Sequence, residues 1–145
     1  MFFLYKRKGE RMEKTLVIIK PDAMERKLMG EIISIYEKKG LSISSIKIMK
    51  PSVGIAETHY TEHKGKPFFA ELINYITRSE VCVFIAEGKN AIAAVRKING
   101  ATDPMDADAG TIRGRYAISK TENTIHSSDS IASAEREIRI WFPEI

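Results

Sequence analysis

Three cations and one histidine in this 145-residue chain stand where chemistry is often done. Lys20 closes the apolar, β-branched run Thr15-Leu-Val-Ile-Ile19, and Pro21 fixes the turn that follows. Arg96 falls in a helical stretch, and Arg113 in the glycine-bearing segment Thr111-Ile-Arg-Gly114. Cations at strand ends and in glycine-bearing loops suit a polyphosphate, because a guanidinium pairs two oxygens at once. Taken singly, each is more plainly a solvated surface charge. Neither G-x-x-x-x-G-K-[ST] nor G-x-G-x-x-G occurs, so a nucleotide would be held by some route other than a Walker or Rossmann loop.

Of the three histidines, His59 and His63 are four apart, a spacing that can hold a metal on a helix. No third ligand lies nearby in sequence, and Pro67 limits the helix, so exposed or locally hydrogen-bonded rings are the plainer expectation. His126 precedes Ser127-Ser-Asp-Ser130 and a final helix, and Glu137 lies within reach to fold back on it. An imidazole oriented by a carboxylate is the arrangement of a nucleophile or a general base. Spacing alone does not decide, and a histidine in the capping loop is the plainer reading.

Composition narrows the classes. The length suits one domain able to bury its own core. With 43% hydrophobic and 29% charged residues the chain is neither disordered nor fibrous. The single cysteine, Cys82, cannot form an internal disulfide, which fits a reducing cytoplasm. No apolar run reaches the roughly 18 residues of a membrane span, and the apolar start Phe2-Phe-Leu-Tyr5 followed by basic residues reverses the order of a signal peptide. Of the net charge of +4, residues 1–11 carry +3, leaving the remainder close to neutral. That balance argues against a nucleic-acid groove. Residues 1–11 lack periodicity, and Lys8-Gly-Glu-Arg11 just before Met12 suggests that translation naturally starts at Met12; the folded domain is expected over 12–145.

The elements that must position these residues follow from periodicity. A buried strand is expected over 15–19, a helix over 31–39 ending at Gly40, and a strand over 41–50 with a bulge at Ser44-Ser45. Helices over 54–60 and 68–77 come next, then a strand over 81–86 and a helix over 91–98. Residues 101–115 read as a long functional loop, residues 116–119 as a short last strand, and Ile131 to Trp141 as a helix capped by Ser130 or Asp129. Four strands with intervening helices suit an α+β, ferredoxin-like, four-stranded antiparallel sheet covered by helices on one face, in a single domain.

Residues 12–142 closely resemble the nucleoside diphosphate kinase family. The strings that carry the resemblance are Thr15-Leu-Val-Ile-Ile-Lys-Pro-Asp22, Gly65-Lys-Pro-Phe-Phe69, Asn99-Gly-Ala-Thr-Asp-Pro104, Gly110-Thr-Ile-Arg-Gly114 and Asn123-Thr-Ile-His-Ser-Ser-Asp-Ser130, followed by Ser133-Ala-Glu-Arg-Glu137 and Trp141-Phe142. The resemblance implies transfer of a γ-phosphate between ATP or other nucleoside triphosphates and diphosphates, by a ping-pong cycle through a phosphohistidine. His126 is the implied nucleophile, Glu137 the residue that orients it, and Ser128 the support for both. Lys20, Tyr60, Arg96, Thr102, Arg113 and Asn123 match residues that hold phosphates, histidine or sugar, and Phe68 the aromatic on which the base stacks.

It also implies Mg2+ carried by the nucleotide phosphates rather than in a protein cage, broad base specificity and a cytoplasmic homo-oligomer, tetramer or hexamer. The sequence departs from the family pattern at Ser127, where glycine or alanine is usual, at Lys120, where an apolar residue usually encloses the base, and after Phe142, where many members have a longer tail. A nucleotide-sensing module without turnover is the competing class, and the presence of His126, Glu137, Lys20 and Arg113 weighs against it.

Overall fold

The computed structural model describes residues 12–145; the expectation for residues 1–11 lies outside the described residues. β1 (Met12–Ile19) leads through Lys20 into a short helix α1 (Pro21–Glu25), with proline in its first turn where a missing N–H costs nothing. α2 (Met29–Lys38) and β2 (Ser42–Met49) follow, then α3 (Val53–His59), a single 3-10 turn (Thr61–His63) and α4 (Phe69–Ile76). β3 (Val81–Lys89), α5 (Ala91–Asn99), α6 (Ile112–Tyr116), β4 (Ile125–Ser127) and α7 (Ile131–Trp141) complete the chain.

The strands form one sheet in the order β2-β3-β1-β4, every neighbouring pair antiparallel. This is the expected four-stranded arrangement. The pairing of β2 with β3 slips between Ile43 and Ser45, the irregularity that the broken alternation at Ser44-Ser45 predicts.

Helices cover both faces of the sheet, not one. Val17, Ile19, Cys82, Phe84 and Ala86 pack with Ile32 and Tyr36 of α2 and Val95 of α5. Leu16, Ile18, Val81, Val83 and Ile85 pack on the opposite side with Ala56, Ile73 and the α7 residues Ile138 and Trp141. β1 and β3 are the two central strands. Both faces of each are buried, so they read as unbroken apolar runs rather than alternating ones. A continuous run does not reveal how many faces have helices.

The last strand is also corrected. It spans Ile125–Ser127, not 116–119, and the stretch expected to be irregular contains α6. Three residues are too few to show a period, and β4 exists because Val17, Ile18 and Ile19 offer it an edge. α6 is nucleated by Thr111, whose hydroxyl accepts from the Gly114 N–H at 3.1 Å. The capping of α7 is as expected: the Ser130 hydroxyl accepts from the Ser133 N–H at 3.0 Å.

Candidate active site

β4 carries His126 at the sheet edge, paired with Ile18, and α7 brings Glu137 back over it. The His126 Nε2 and Glu137 Oε1 atoms are 2.8 Å apart. A carboxylate only accepts, so Nε2 bears the proton and the lone pair of a neutral ring lies at Nδ1. The same Oε1 accepts from the Ser128 hydroxyl at 2.9 Å, and the Ser128 oxygen in turn accepts from the Leu16 N–H. Glu137 is buried and His126 half-buried. The ring orientation is therefore imposed by a helix, a strand and a serine together.

A polar cleft of about 370 Å³ opens in front of this pair. Lys20, Arg96, Thr102, Arg113 and Asn123 line it. Lys20 Nζ donates to Asn123 Oδ1 at 2.8 Å. Burial lowers the Lys20 ammonium to about 7; Arg113 pushes in the same direction, and Asp22 opposes it. Arg113 reaches the Gly100 and Ile125 carbonyls, each at 2.7 Å, and so ties the end of α5 to β4. Burial lowers Arg113 as well, to about 10, which leaves it charged at neutral pH. Arg113 Nε and the Tyr60 hydroxyl are buried polar atoms without a hydrogen-bond partner among the described residues. Orphan polar groups are rare in native interiors, and those in a cleft fit a polar ligand.

A second cleft of about 450 Å³ adjoins the first, sharing Lys20, Thr102 and Asn123. Tyr60, His63, Phe68 and Lys120 also line it. The Phe68 ring is 43% exposed, with the His63 ring edge-on at 5.4 Å and Lys66 Nζ 5.8 Å from its centroid. A flat aromatic face beside a cationic cleft can take a base whose phosphates run toward His126. All ten expected site residues thus meet: nine line the two clefts or the histidine pair, and Ser128 sits behind Glu137.

The two variant positions are also placed. The Ser127 hydroxyl accepts from Asn99 Nδ2 at 3.0 Å, and Asn99 Oδ1 accepts from the Tyr36 hydroxyl, so a relay from α2 through α5 fixes the serine. Lys120 faces the aromatic cleft, where its methylene stem can cover a ring.

His59 and His63 do not share a helix face. His59 ends α3 inside the core, where its Nδ1 accepts from Trp141 Nε1 at 3.1 Å. Its ring stands edge-on to His126 at 4.6 Å, and burial holds its pKa well below the usual imidazole value, with His126, Lys20 and Arg136 adding to the effect. Sequence reasoning also missed Arg136, which donates to the Thr58 carbonyl at 2.6 Å and lines the polar cleft. Its position one residue before Glu137 gives no sign of either contact.

His59, His126 and Glu137 are the one group of metal-ligating side chains close enough to share an ion among the described residues. Two imidazoles and one carboxylate suit zinc or copper rather than the all-oxygen shell of Mg2+.

Comparison with known proteins places the whole fold in one family. The family model described as Nucleoside diphosphate kinase matches residues 13–145. The chain is 53% identical over 135 residues to the nucleoside diphosphate kinase of Clostridium perfringens (strain 13 / Type A), covering 93% of this chain and 94% of that one. It is 53% identical over 134 residues to that of Caldanaerobacter subterraneus, covering 92% and 96%. Among solved structures, the Aquifex aeolicus nucleoside diphosphate kinase superposes with a TM-score of 0.89 at 36% identity, covering 91% of this chain and 96% of that one. The Encephalitozoon cuniculi enzyme gives 0.88 at 40%, covering 90% and 88%. With the match running from β1 past α7 and taking in both halves of the histidine–carboxylate pair, the chain belongs to the nucleoside diphosphate kinase family of phosphotransferases.

Proposed function

We propose that the chain transfers the γ-phosphate of a nucleoside triphosphate to a nucleoside diphosphate through a phosphohistidine on His126. The observation that carries this reading is the Nε2–Glu137 contact, which leaves the lone pair at Nδ1 on a ring that lines a cationic cleft. In the first half, the Nδ1 lone pair attacks the γ-phosphorus, the bond to the β-phosphate oxygen breaks, and the diphosphate leaves. In the second half, a terminal oxygen of the incoming diphosphate attacks the same phosphorus and the N–P bond breaks, returning the lone pair to Nδ1. The Nε2 proton stays in place throughout, held by Glu137, which offsets the positive charge that develops on the ring.

Phosphoryl transfer asks for alignment and dispersed positive charge more than for covalent help. Lys20, Arg96 and Arg113 supply the charge, Thr102 and the unpartnered Tyr60 hydroxyl add donors, and Asn123 holds Lys20 and reaches the sugar. Mg2+ enters with the substrate on its phosphates, where it neutralises charge. The base stacks on Phe68; a ring face is common to all bases, so discrimination among them is slight. We also infer a homo-oligomer working in the cytoplasm. The edge strand β2 presents Ile46 and Ile48 half exposed, an apolar stripe that a second copy would cover.

Mixing protein, MgATP and GDP and following GTP tests the reading. Rapid GTP formation is expected, lost in His126→Ala while nucleotide still binds, and slowed in Glu137→Ala. Undiminished turnover in the histidine variant would refute the assignment, and no GTP from folded wild type would favour a nucleotide-sensing module.

A further inference from the structure

Two residues before the histidine the backbone is strained. The Ile125 N–H donates to the Asn123 carbonyl at 2.8 Å, closing a three-residue turn around Thr124, whose φ is 78°. That is the rare, strained form of the γ-turn, and a β-branched residue with positive φ persists only where its surroundings impose it. The imposing contacts come from the segment after β1. The Lys20 N–H donates to the Thr124 carbonyl at 2.9 Å. The Thr124 hydroxyl donates to Asp22 Oδ2 at 2.9 Å, and the other oxygen of that carboxylate accepts from the Tyr75 hydroxyl. Asp22 and Thr124 are both buried, and Asp22 is not among the residues lining either cleft.

The turn has a residue of the site on each side. Asn123 before it holds Lys20 Nζ, and β4 after it delivers His126 to its place opposite Ile18. A relaxed turn would change the direction of both. We propose that Asp22 is a positioning residue, whose carboxylate grips the Thr124 hydroxyl and so holds the strained turn that aims His126 and Asn123 into the cleft. The inference rests on the reading of His126 as the phosphoryl acceptor. It gives a further role to the aspartate in the first turn of α1, whose charge also favours the Lys20 ammonium.

The test uses Thr124→Val, which removes the hydroxyl at nearly constant shape, Thr124→Ser, which restores it, and Tyr75→Phe, which removes the other bond to Asp22 without touching the turn. Single-turnover labelling of His126 by ATP is expected to be at least roughly tenfold slower in the valine variant even at saturating ATP, as for a misaligned nucleophile, with ATP binding weakened through Asn123. The serine variant should recover most of the rate, and Tyr75→Phe should lose little. The 15N signals of the His126 ring, which need no turnover, should shift or broaden in Thr124→Val and return in Thr124→Ser. If wild type is not labelled, the phosphohistidine reading fails, and the ring signals still decide the positioning role. Wild-type labelling and ring signals in Thr124→Val, or equal losses in all three variants, would overturn it.

Discussion

Lys20 is buried with an amide oxygen, not a carboxylate, as its hydrogen-bond partner, which is costly for an ammonium. Its folded pKa of about 7 lies below the ordinary 10.5, so between those values the unfolded chain holds a proton that the folded chain has released. Stability without nucleotide should therefore rise with pH across this window, and be lost as pH falls toward 7, by at most about 1.4 kcal/mol per pH unit. Urea unfolding at pH 7 and 9 checks this against Lys20→Met, which lacks the group. An equal increment in both proteins would show that the trend comes from elsewhere. Lys20 was legible as a candidate because a cation at the end of a buried strand is conspicuous. Its neighbours were not, since Asn123 is 103 positions away and only the β1–β4 pairing brings it close.

The long segment between α5 and β4 shows how a short helix is held in place by the loop before it. Arg113 sits on α6, and α6 is pressed against the loop before it so closely that a Cβ on Gly114 would lie 2.0 Å from the Asp108 carbonyl oxygen. Gly114→Ala must move either the loop or the helix. It is expected to destabilise by about 1–3 kcal/mol, as overpacking does, and to weaken nucleotide binding through Arg113. Gly110→Ala, where a Cβ meets nothing within 4 Å, should stay within about 0.5 kcal/mol of wild type. Denaturation curves and nucleotide titrations of the two variants make the comparison. Strands β1 and β3 were readable as unbroken apolar, β-branched runs, and helices α2, α5 and α7 because each repeats its apolar spacing over more than one turn. The turn–helix at 111–116 and the three-residue β4 were not, because a single cap and a borrowed strand edge leave no period to read.

Across the whole molecule, the sheet ends at β2, where Ile46 and Ile48 lie opposite Phe84 and Cys82 and so share their face, yet stay 50% and 49% exposed. Sheet edges with apolar side chains invite pairing. Changing both to lysine is expected to lower the molar mass measured by light scattering toward that of one chain, and an unchanged assembly would place the interface elsewhere. Cys82, on the same face of β3, is buried, and burial pushes its thiol up to about 11, which makes it a packing residue rather than a reactive one.

The residue types alone determined the chemistry open to this protein: a histidine with a carboxylate eleven positions on, cations without a Walker loop, and an aromatic after Gly65-Lys-Pro67. They also determined the antiparallel, helix-covered class, because strand and helix periods are local properties of the chain. Tertiary structure decided which histidine nitrogen is free, how the cations divide between one polar and one aromatic cleft, and that Thr124 bends backwards to aim the site. The first depends on α7 folding back over β4 to set Glu137 against His126, the second on atoms that meet across many tens of residues, and the third on a strain that local preference opposes and only packing can hold.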